Sequence, residues 1–328
     1  MKKLQVPYNL DQNILDLYFD YKDYINEIYF APSPEIFPTA RQFPGGDLEE
    51  YNKKLCNLCT RSYQNGIETM LLLNGTNLVY TNNKLEEISA LIYLLSLCHL
   101  TGVVVANPVL GEFIHNNFPN LKIRLSVLSN EDTVEKIVQI DKLGYINEIC
   151  LTSNWLKDID GLKKLRKLTK NLKYSIIVNS TCRLNCPLYG WHHMLFNSNT
   201  NWETYDFSLI SDTFYKQTEK LEHNIFKSPF LLPEELHYFD NYIDYFKLED
   251  RTLPTEKIKN FLFYYAHRIN PEVLMDCIHG SCVQGPIQTI KISDLSFSWR
   301  KHMRNCKGQC YTCGLCDKKM EEYINGRH

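Results

Sequence analysis

The sequence has little net charge and lacks the short motifs that mark the common hydrolase and nucleotide-binding sites. Its formal net charge is −2 over 328 residues, which argues against a chain built mainly to coat nucleic acid. No Gly-x-Gly-x-x-Gly and no Walker A sequence occurs, so the phosphate-binding loops of those motifs are not expected. His-Glu-x-x-His and Gly-x-Ser-x-Gly are also absent, which weakens the case for a zinc peptidase or a serine hydrolase.

The sequence also lacks a long apolar run. No segment reaches the length of a bilayer span, and residues 1–9 lack the apolar region of a secretory signal. We therefore expect a cytoplasmic protein with no membrane partner. In that reducing compartment, the 12 cysteines are more often ligands, catalytic groups or buried thiols than disulfides.

Short β-type runs alternate with amphipathic helical runs along most of the chain. Continuous apolar runs such as 102–106 are typical of strands buried on both faces, as in a parallel sheet covered by helices. We predict strands at 27–31, 68–73, 102–106, 122–127, 148–152 and 174–179, and with a weaker pattern at 230–232 and 245–248. Eight strands with intervening helices favour a TIM-like (β/α)8 barrel, and a doubly wound open sheet is the alternative.

The pattern also predicts how the chain is divided. Residues 1–269 form the predicted barrel, with a polar and aromatic insertion at about 187–229. Residues 270–328 lie beyond the eighth strand and its helix and carry six of the 12 cysteines. We interpret them as a cysteine-rich, metal-binding C-terminal extension.

Four cysteines of this extension are closely spaced, with glycine and polar residues between them: Cys306, Cys310, Cys313 and Cys316. Thiolates at such spacing can fold around one metal centre, and both iron–sulfur clusters and structural zinc take four cysteine ligands. We expect one or two [4Fe–4S] clusters in the protein, with zinc at the C-terminal cysteines as the alternative.

A second pair of cysteines follows a predicted strand. Cys182 and Cys186 come directly after 174–179, at the end of the barrel where reactive groups collect. Two thiolates cannot complete a cluster, so the remaining ligands are Cys277 and Cys282, two of the C-terminal four, or a histidine such as His192. The alternative is that Cys182 and Cys186 are loop thiols that bind no metal.

Charged residues follow the last predicted strand. Glu249 and Arg251 come after 245–248 and are expected at the same mouth, as an acid/base pair or an anion clamp. A salt bridge that closes the barrel is the alternative. His192 is a third candidate catalytic residue.

Several of these segments resemble the peptidase U32 family. They are Asn179-x-x-Cys182-x-x-x-Cys186-Pro187 with His192, Pro233-Glu234-Glu235-Leu236, and Tyr245-Phe246-Lys247-Leu248-Glu249-Asp250-Arg251. The resemblance implies a TIM-like barrel and, as in several members, an oxygen-sensitive [4Fe–4S] cluster. The C-terminal cysteines resemble the tail of one anaerobe-associated branch. The chain departs from the family pattern at Tyr189, Leu232 and Asp250, where arginine, arginine and glycine are usual.

The resemblance also bears on function. The family was named for collagenase-type peptidases, whereas other relatives act in hydroxylation of RNA bases and in oxygen-independent ubiquinone hydroxylation. We therefore expect an iron–sulfur enzyme that modifies an RNA, a peptide or a small aromatic substrate. The alternatives are a U32-type peptidase and a non-catalytic iron–sulfur subunit with a protein partner.

Overall fold

A closed barrel of eight parallel strands organises the chain. The computed structural model describes residues 3–37, 39, 46–76, 80–187, 189, 225–279 and 289–325. Each strand pairs with the next in sequence, and the last pairs with the first, with Gln5 opposite Lys247. The strands are β1 (Lys3–Pro7), β2 (Ile25–Phe30), β3 (Glu68–Leu73), β4 (Gly102–Val105), β5 (Lys122–Leu125), β6 (Glu148–Leu151), β7 (Lys173–Ile177) and β8 (Tyr245–Lys247). The predicted TIM-like (β/α)8 barrel is confirmed.

Helices follow most strands and cover the barrel. Side-chain caps explain where several begin, because Asp47, Thr81, Asn107, Thr133 and Asp158 each accept a hydrogen bond from a backbone N–H of the helix that follows. The helices in the described residues are α1 (Asn13–Asp20), α2 (Leu48–Gln64), α3 (Asn82–Leu97), α4 (Pro108–Asn117), α5 (Val134–Asp141), α6 (Ile159–Leu168), α7 (Thr255–His267), α8 (Phe297–Arg304), α9 (Cys310–Cys313) and α10 (Leu315–Ile324). None of them is long and apolar enough to cross a membrane.

The strand predictions need two corrections, one for a strand that was missed and one for a strand that is absent. The first strand is β1, which the sequence pattern missed because Lys3, Gln5 and Pro7 interrupt its apolar character. The run 230–232 is not a strand: it is buried, and the Leu231 N–H donates to the Val178 carbonyl, but it joins no ladder. The segment predicted as the sixth strand is therefore β7. The insertion at about 187–229 lies between β7 and β8, largely outside the described residues.

A buried ionic cluster crosses the interior of the barrel. Arg124 of β5 bonds Glu27 of β2, with Nη1 and Oε1 2.5 Å apart, and Glu148 of β6, with Nε and Oε1 2.6 Å apart. Gln5 of β1 donates from Nε2 to Glu148 Oε1 at 2.9 Å. Burial raises the pKa of Glu27, and the Arg124 charge opposes that shift. The cluster links four strands through their inward-facing side chains.

The described part of residues 270–325 packs on the barrel. Leu274, Met320 and Tyr323 belong to the same hydrophobic cluster as the barrel helices. On α8, the Trp299 ring meets Phe226 edge-on at 5.3 Å between centroids, and Arg304 pairs with Glu235 at 2.7 Å. Whether the extension is a separate domain from residue 270 onward stays a prediction.

Replacing Arg124 tests the ionic cluster. Arg124→Met keeps most of the volume but leaves two buried carboxylates without their cation, so we expect a loss of about 3–5 kcal/mol in the free energy of unfolding at neutral pH. The pKa of Glu27, already raised by burial, then loses the opposing charge of Arg124 and rises further, so part of the loss is regained as the pH falls through it. Urea unfolding at two pH values measures this.

The control is Lys136→Met, which removes an exposed ion pair with Asp132 and should change stability little. An equal loss in both variants, or an Arg124→Met deficit that does not shrink in acid, contradicts the prediction.

Candidate active site at the barrel mouth

A cavity of about 350 Å³ opens at the C-terminal end of the strands. This is the end at which (β/α)8 barrels carry their active sites. Four of the candidate residues from the sequence line it together, namely Cys182, Cys186, Glu249 and Arg251. Its other walls include polar side chains from the ends of several strands, among them Asn74, Ser126, Thr152, Ser180 and Lys247.

Asn179 fixes the position of Glu249. Its side-chain amide donates from Nδ2 to the Glu249 carbonyl at 2.5 Å, and its Oδ1 accepts from the Glu249 N–H at 2.8 Å. The Asn179 carbonyl accepts from the His279 N–H at 2.7 Å. Because Asn179 is fully buried, these bonds hold the ends of β7 and β8 and the segment at 279 in one arrangement.

The residues after Glu249 are buried and bonded to other segments of the chain. Arg251 donates from Nη2 to Thr39 Oγ1 at 2.6 Å. Asp250 pairs with His279, with Oδ2 and Nε2 3.2 Å apart, and both side chains are buried. The sequence analysis missed this pair because it considered the segment 277–282 only for its cysteines.

Lys247 is a second residue that the sequence analysis missed. It lines the cavity although its side chain is only 7% exposed, and its Nζ lies 4.1 Å from the centroid of the Tyr29 ring. Burial lowers the pKa of Lys247, and the charge of Arg124 acts in the same direction. The available signal was a lysine inside an otherwise apolar strand at a position that faces the barrel interior.

The loop that carries Cys182 and Cys186 is held by hydrogen bonds to the end of the long β7–β8 connection. The Leu184 N–H donates to the Lys227 carbonyl at 3.0 Å, and Ser228 Oγ donates to the Thr181 carbonyl at 2.7 Å. Asn154, which follows β6, bonds Asn185 through both side-chain and backbone atoms. Both cysteines are half-buried at the wall of the cavity.

The C-terminal cysteine segment packs against this loop. A Cβ built on Gly308 would lie 3.1 Å from Leu184 Cδ2 and 3.4 Å from Asn185 Nδ2, so the two segments meet in close contact at this glycine. The Gly308 N–H donates to Cys306 Sγ at 3.3 Å, and Cys316 Sγ donates to the Phe226 carbonyl at 3.1 Å.

The four C-terminal cysteines influence one another electrostatically. Burial raises the pKa of Cys316 to about 12, with Cys310 and Cys306 adding to the shift and Lys157 opposing it. Burial and Cys306 likewise raise the pKa of Cys310, against the charges of Lys227 and Arg183. The thiols therefore lie near one another and near the basic side chains of Lys157, Lys227 and Arg183.

A four-thiolate metal site fits this donor set, because basic neighbours offset the negative charge of thiolate ligands. The ligand geometry itself is not assembled, since in the described ranges no three His, Cys, Asp or Glu side chains are grouped to hold one ion. His302, with Nε2 3.6 Å from Cys313 Sγ, is a nitrogen donor that the sequence analysis did not consider.

Cys277 is a candidate residue that does not join the mouth. Cys277 is buried in the core, where its thiol donates to the Leu274 carbonyl at 3.3 Å and burial strongly raises its pKa. His192 and Cys282 lie outside the described residues. A ligand role for Cys277 or Cys282 and a catalytic role for His192 stay predictions.

Known proteins resemble this chain in sequence and in fold. No protein-family model matches it. An uncharacterised protease of Methanocaldococcus jannaschii is 23% identical over 243 residues, which cover 69% of this chain and 67% of that protein. The structure of the U32 peptidase Mk0906 covers 76% of this chain and 93% of its own at 14% identity, with a TM-score of 0.54. The chain resembles the U32 peptidases. The resemblance predicted from the segments around Cys182 and Glu249 is thereby confirmed.

A second solved structure is less similar to this chain. A conserved protein of unknown function from Enterococcus faecalis has a TM-score of 0.41 at 13% identity, over 81% of this chain and 65% of that one. The structural similarity to Mk0906, at 14% sequence identity, supports the fold alone. The reaction has to be argued from the residues at the mouth.

Gly308→Ala tests the contact between the cysteine segment and the loop. Gly308 has φ +70° and a Cβ there meets Leu184, whereas Gly314 has φ +65° and open space around its Cβ position. Both substitutions strain the backbone, but only Gly308→Ala adds a methyl group that presses on the neighbouring segment, at Leu184. We expect Gly308→Ala to cost roughly 1 kcal/mol more than Gly314→Ala, and to increase proteolysis within 306–316. Equal melting temperatures and cleavage rates would show that the contact does not stabilise the tail.

Proposed function

We propose that the chain is an iron–sulfur enzyme of the U32 type that acts in the reducing cytoplasm. Its substrate is an RNA, a peptide or a small aromatic molecule, which it modifies in the mouth cavity, for example by hydroxylation. The observation that carries the proposal is the packing of a four-cysteine segment against the loop whose Cys182 and Cys186 line that cavity. A redox cofactor held there lies beside bound substrate.

Six cysteines could hold the cofactor, Cys182 and Cys186 at the cavity wall and Cys306, Cys310, Cys313 and Cys316 in the tail. A [4Fe–4S] cluster supplies one-electron transfer, with a potential set by nearby hydrogen bonds, charge and solvent exposure. The N–H of Gly308 already donates to Cys306 Sγ, as backbone amides do to cluster sulfurs. Zinc at the four tail cysteines remains the alternative, because zinc takes the same ligands.

The chain's own groups then bind and orient substrate. Glu249 is half-buried at the cavity, and its backbone is fixed by Asn179, so its carboxylate is placed to take up a proton or accept a hydrogen bond from substrate. Arg251, anchored on Thr39, presents a planar guanidinium that suits a carboxylate or phosphate group of the substrate. Pairing of the neighbouring Asp250 with His279 keeps this segment in place.

Peptide hydrolysis is the second candidate function. It is favoured by the names of the two relatives, one an uncharacterised protease and the other a U32 peptidase. Against it, the chain lacks the common zinc- and serine-peptidase motifs. A non-catalytic iron–sulfur subunit is the remaining alternative and differs from both in having no turnover.

The metal content tests the proposal directly. Protein purified without oxygen should contain iron and acid-labile sulfide and should absorb near ~400 nm, because thiolate-bound clusters do so. Elemental analysis and sulfide assay measure this. Stoichiometric zinc without sulfide overturns the iron–sulfur proposal, and zinc-dependent cleavage of gelatin by the same protein supports the peptidase.

Serine substitutions test which cysteines hold the cofactor. Cys182→Ser with Cys186→Ser should lower the iron per chain and bleach the visible absorption while the circular dichroism stays unchanged, since both lie on a loop. The matched control is Cys56→Ser, a half-buried thiol on α2 away from the mouth. If the mouth variant keeps full iron, or unfolds as a whole, Cys182 and Cys186 are not ligands.

A further inference from the structure

The mouth cavity contains a buried amine that rests on an aromatic ring. Lys247 projects from β8 into the barrel, its side chain is 7% exposed, and it lines the cavity. Its Nζ lies over the Tyr29 ring, whose hydroxyl donates to the Leu248 carbonyl at 2.7 Å. Across residues 3–325, in the ranges that the structure describes, no hydrogen bond or ion pair involves this amine.

Other enclosed lysines of the chain behave differently. Lys157 donates from Nζ to the Met303 carbonyl at 2.7 Å, and Lys257 donates to the Met275 carbonyl. Both amines are thus used to hold the chain together, as is usual for a buried donor. Lys247 has the aromatic ring on one side and the cavity on the other, which is the position of a group that engages a ligand.

We propose that Lys247 is a nucleophile that forms an imine with an aldehyde or ketone bound in the mouth cavity, and that its substrates are small oxo acids. The carbonyl carbon is the partner of a buried amine in covalent catalysis. Two arginines that line the cavity, Arg183 and Arg251, would bind the carboxylate of such a substrate.

The environment of Lys247 favours this reaction. Burial disfavours the ammonium form, so a larger fraction of the amine is uncharged and nucleophilic at neutral pH than for an exposed lysine. The ring of Tyr29 fixes where Nζ lies without engaging its lone pair through a hydrogen-bond donor. The carboxylate of Glu249 lines the same cavity and is a group that can carry protons during the reaction.

The step balances without a further reagent. The lone pair of Nζ adds to the carbonyl carbon, and the carbonyl oxygen takes up a proton to give a carbinolamine. The nitrogen then loses a proton as the hydroxyl leaves with one, so that one water is released and the C=N bond forms. No electron is gained or lost, so the inference goes beyond the iron–sulfur proposal and does not depend on it.

Reductive trapping tests the inference. Full-length protein, purified without oxygen, is treated with glyoxylate and sodium cyanoborohydride at neutral pH, and its peptides are analysed by mass spectrometry. We expect a carboxymethyl group to form on Lys247 at least ~10-fold faster than on the exposed Lys22, because the uncharged amine is the nucleophile and burial favours that form in Lys247. Labelling should persist in the variant that lacks Cys182 and Cys186, which separates this result from the metal content.

Lys257 is the control within the same molecule, because burial also lowers its pKa but it lies outside the cavity lining. Labelling of Lys247 no faster than of Lys257 or Lys22 overturns the proposal. Benzaldehyde serves as the uncharged probe, and for each probe the labelling rate of Lys247 is divided by that of Lys22: a lower ratio for benzaldehyde than for glyoxylate supports oxo acids, and equal ratios overturn that part. Lys247→Arg should abolish the labelled peptide and leave labelling of Lys257 unchanged.

Discussion

A guanidinium group enclosed by two carboxylates ties β2, β5 and β6 together across the barrel interior, and Gln5 joins β1 to one of those carboxylates. The cost of burying Arg124, Glu27 and Glu148 is offset only while all three are present in this geometry. A small apolar layer of Tyr29, Met70, Leu72 and Val104 follows the polar cluster. The mouth cavity lies on the C-terminal side of that layer, and a second cavity of about 260 Å³ is lined by the cluster residues Glu27, Arg124 and Glu148.

The mouth itself is built from segments that are far apart in sequence. Asn179 after β7 holds Glu249 after β8 and the backbone at His279, and Arg251 reaches Thr39 after β2. The tail adds a further segment, with Gly308 seated on Leu184. The cysteine tail thus contacts the wall of the cavity, so a change in the conformation of the tail can alter the shape of the mouth without touching the barrel strands.

The sequence predicted the features that depend on local pattern. Apolar runs such as Gly102–Val105 identified strands, and the barrel rule brought Cys182, Cys186, Glu249 and Arg251 to one end. The sequence pattern missed β1 because Lys3 and Gln5 interrupt its apolar residues. It also predicted a strand at 230–232, because a segment that is buried without pairing in a sheet has the same apolar sequence as a buried strand. The Asp250–His279 pair was out of reach because it arises from packing between distant segments, whereas Lys247 carried a local signal as a lysine in an apolar strand.

Pairing of β1 with β8 sets the order in which the chain can complete its structure. During synthesis β1 leaves the ribosome first, and its partner emerges only after seven strands and most of the helices have been made. Until then β1 and β7 each have an open edge, which is a template for pairing with other chains. Because long-range strand pairing is slow, the nascent protein is exposed to aggregation for most of its translation, and its recovery should depend on chaperones that cover those edges.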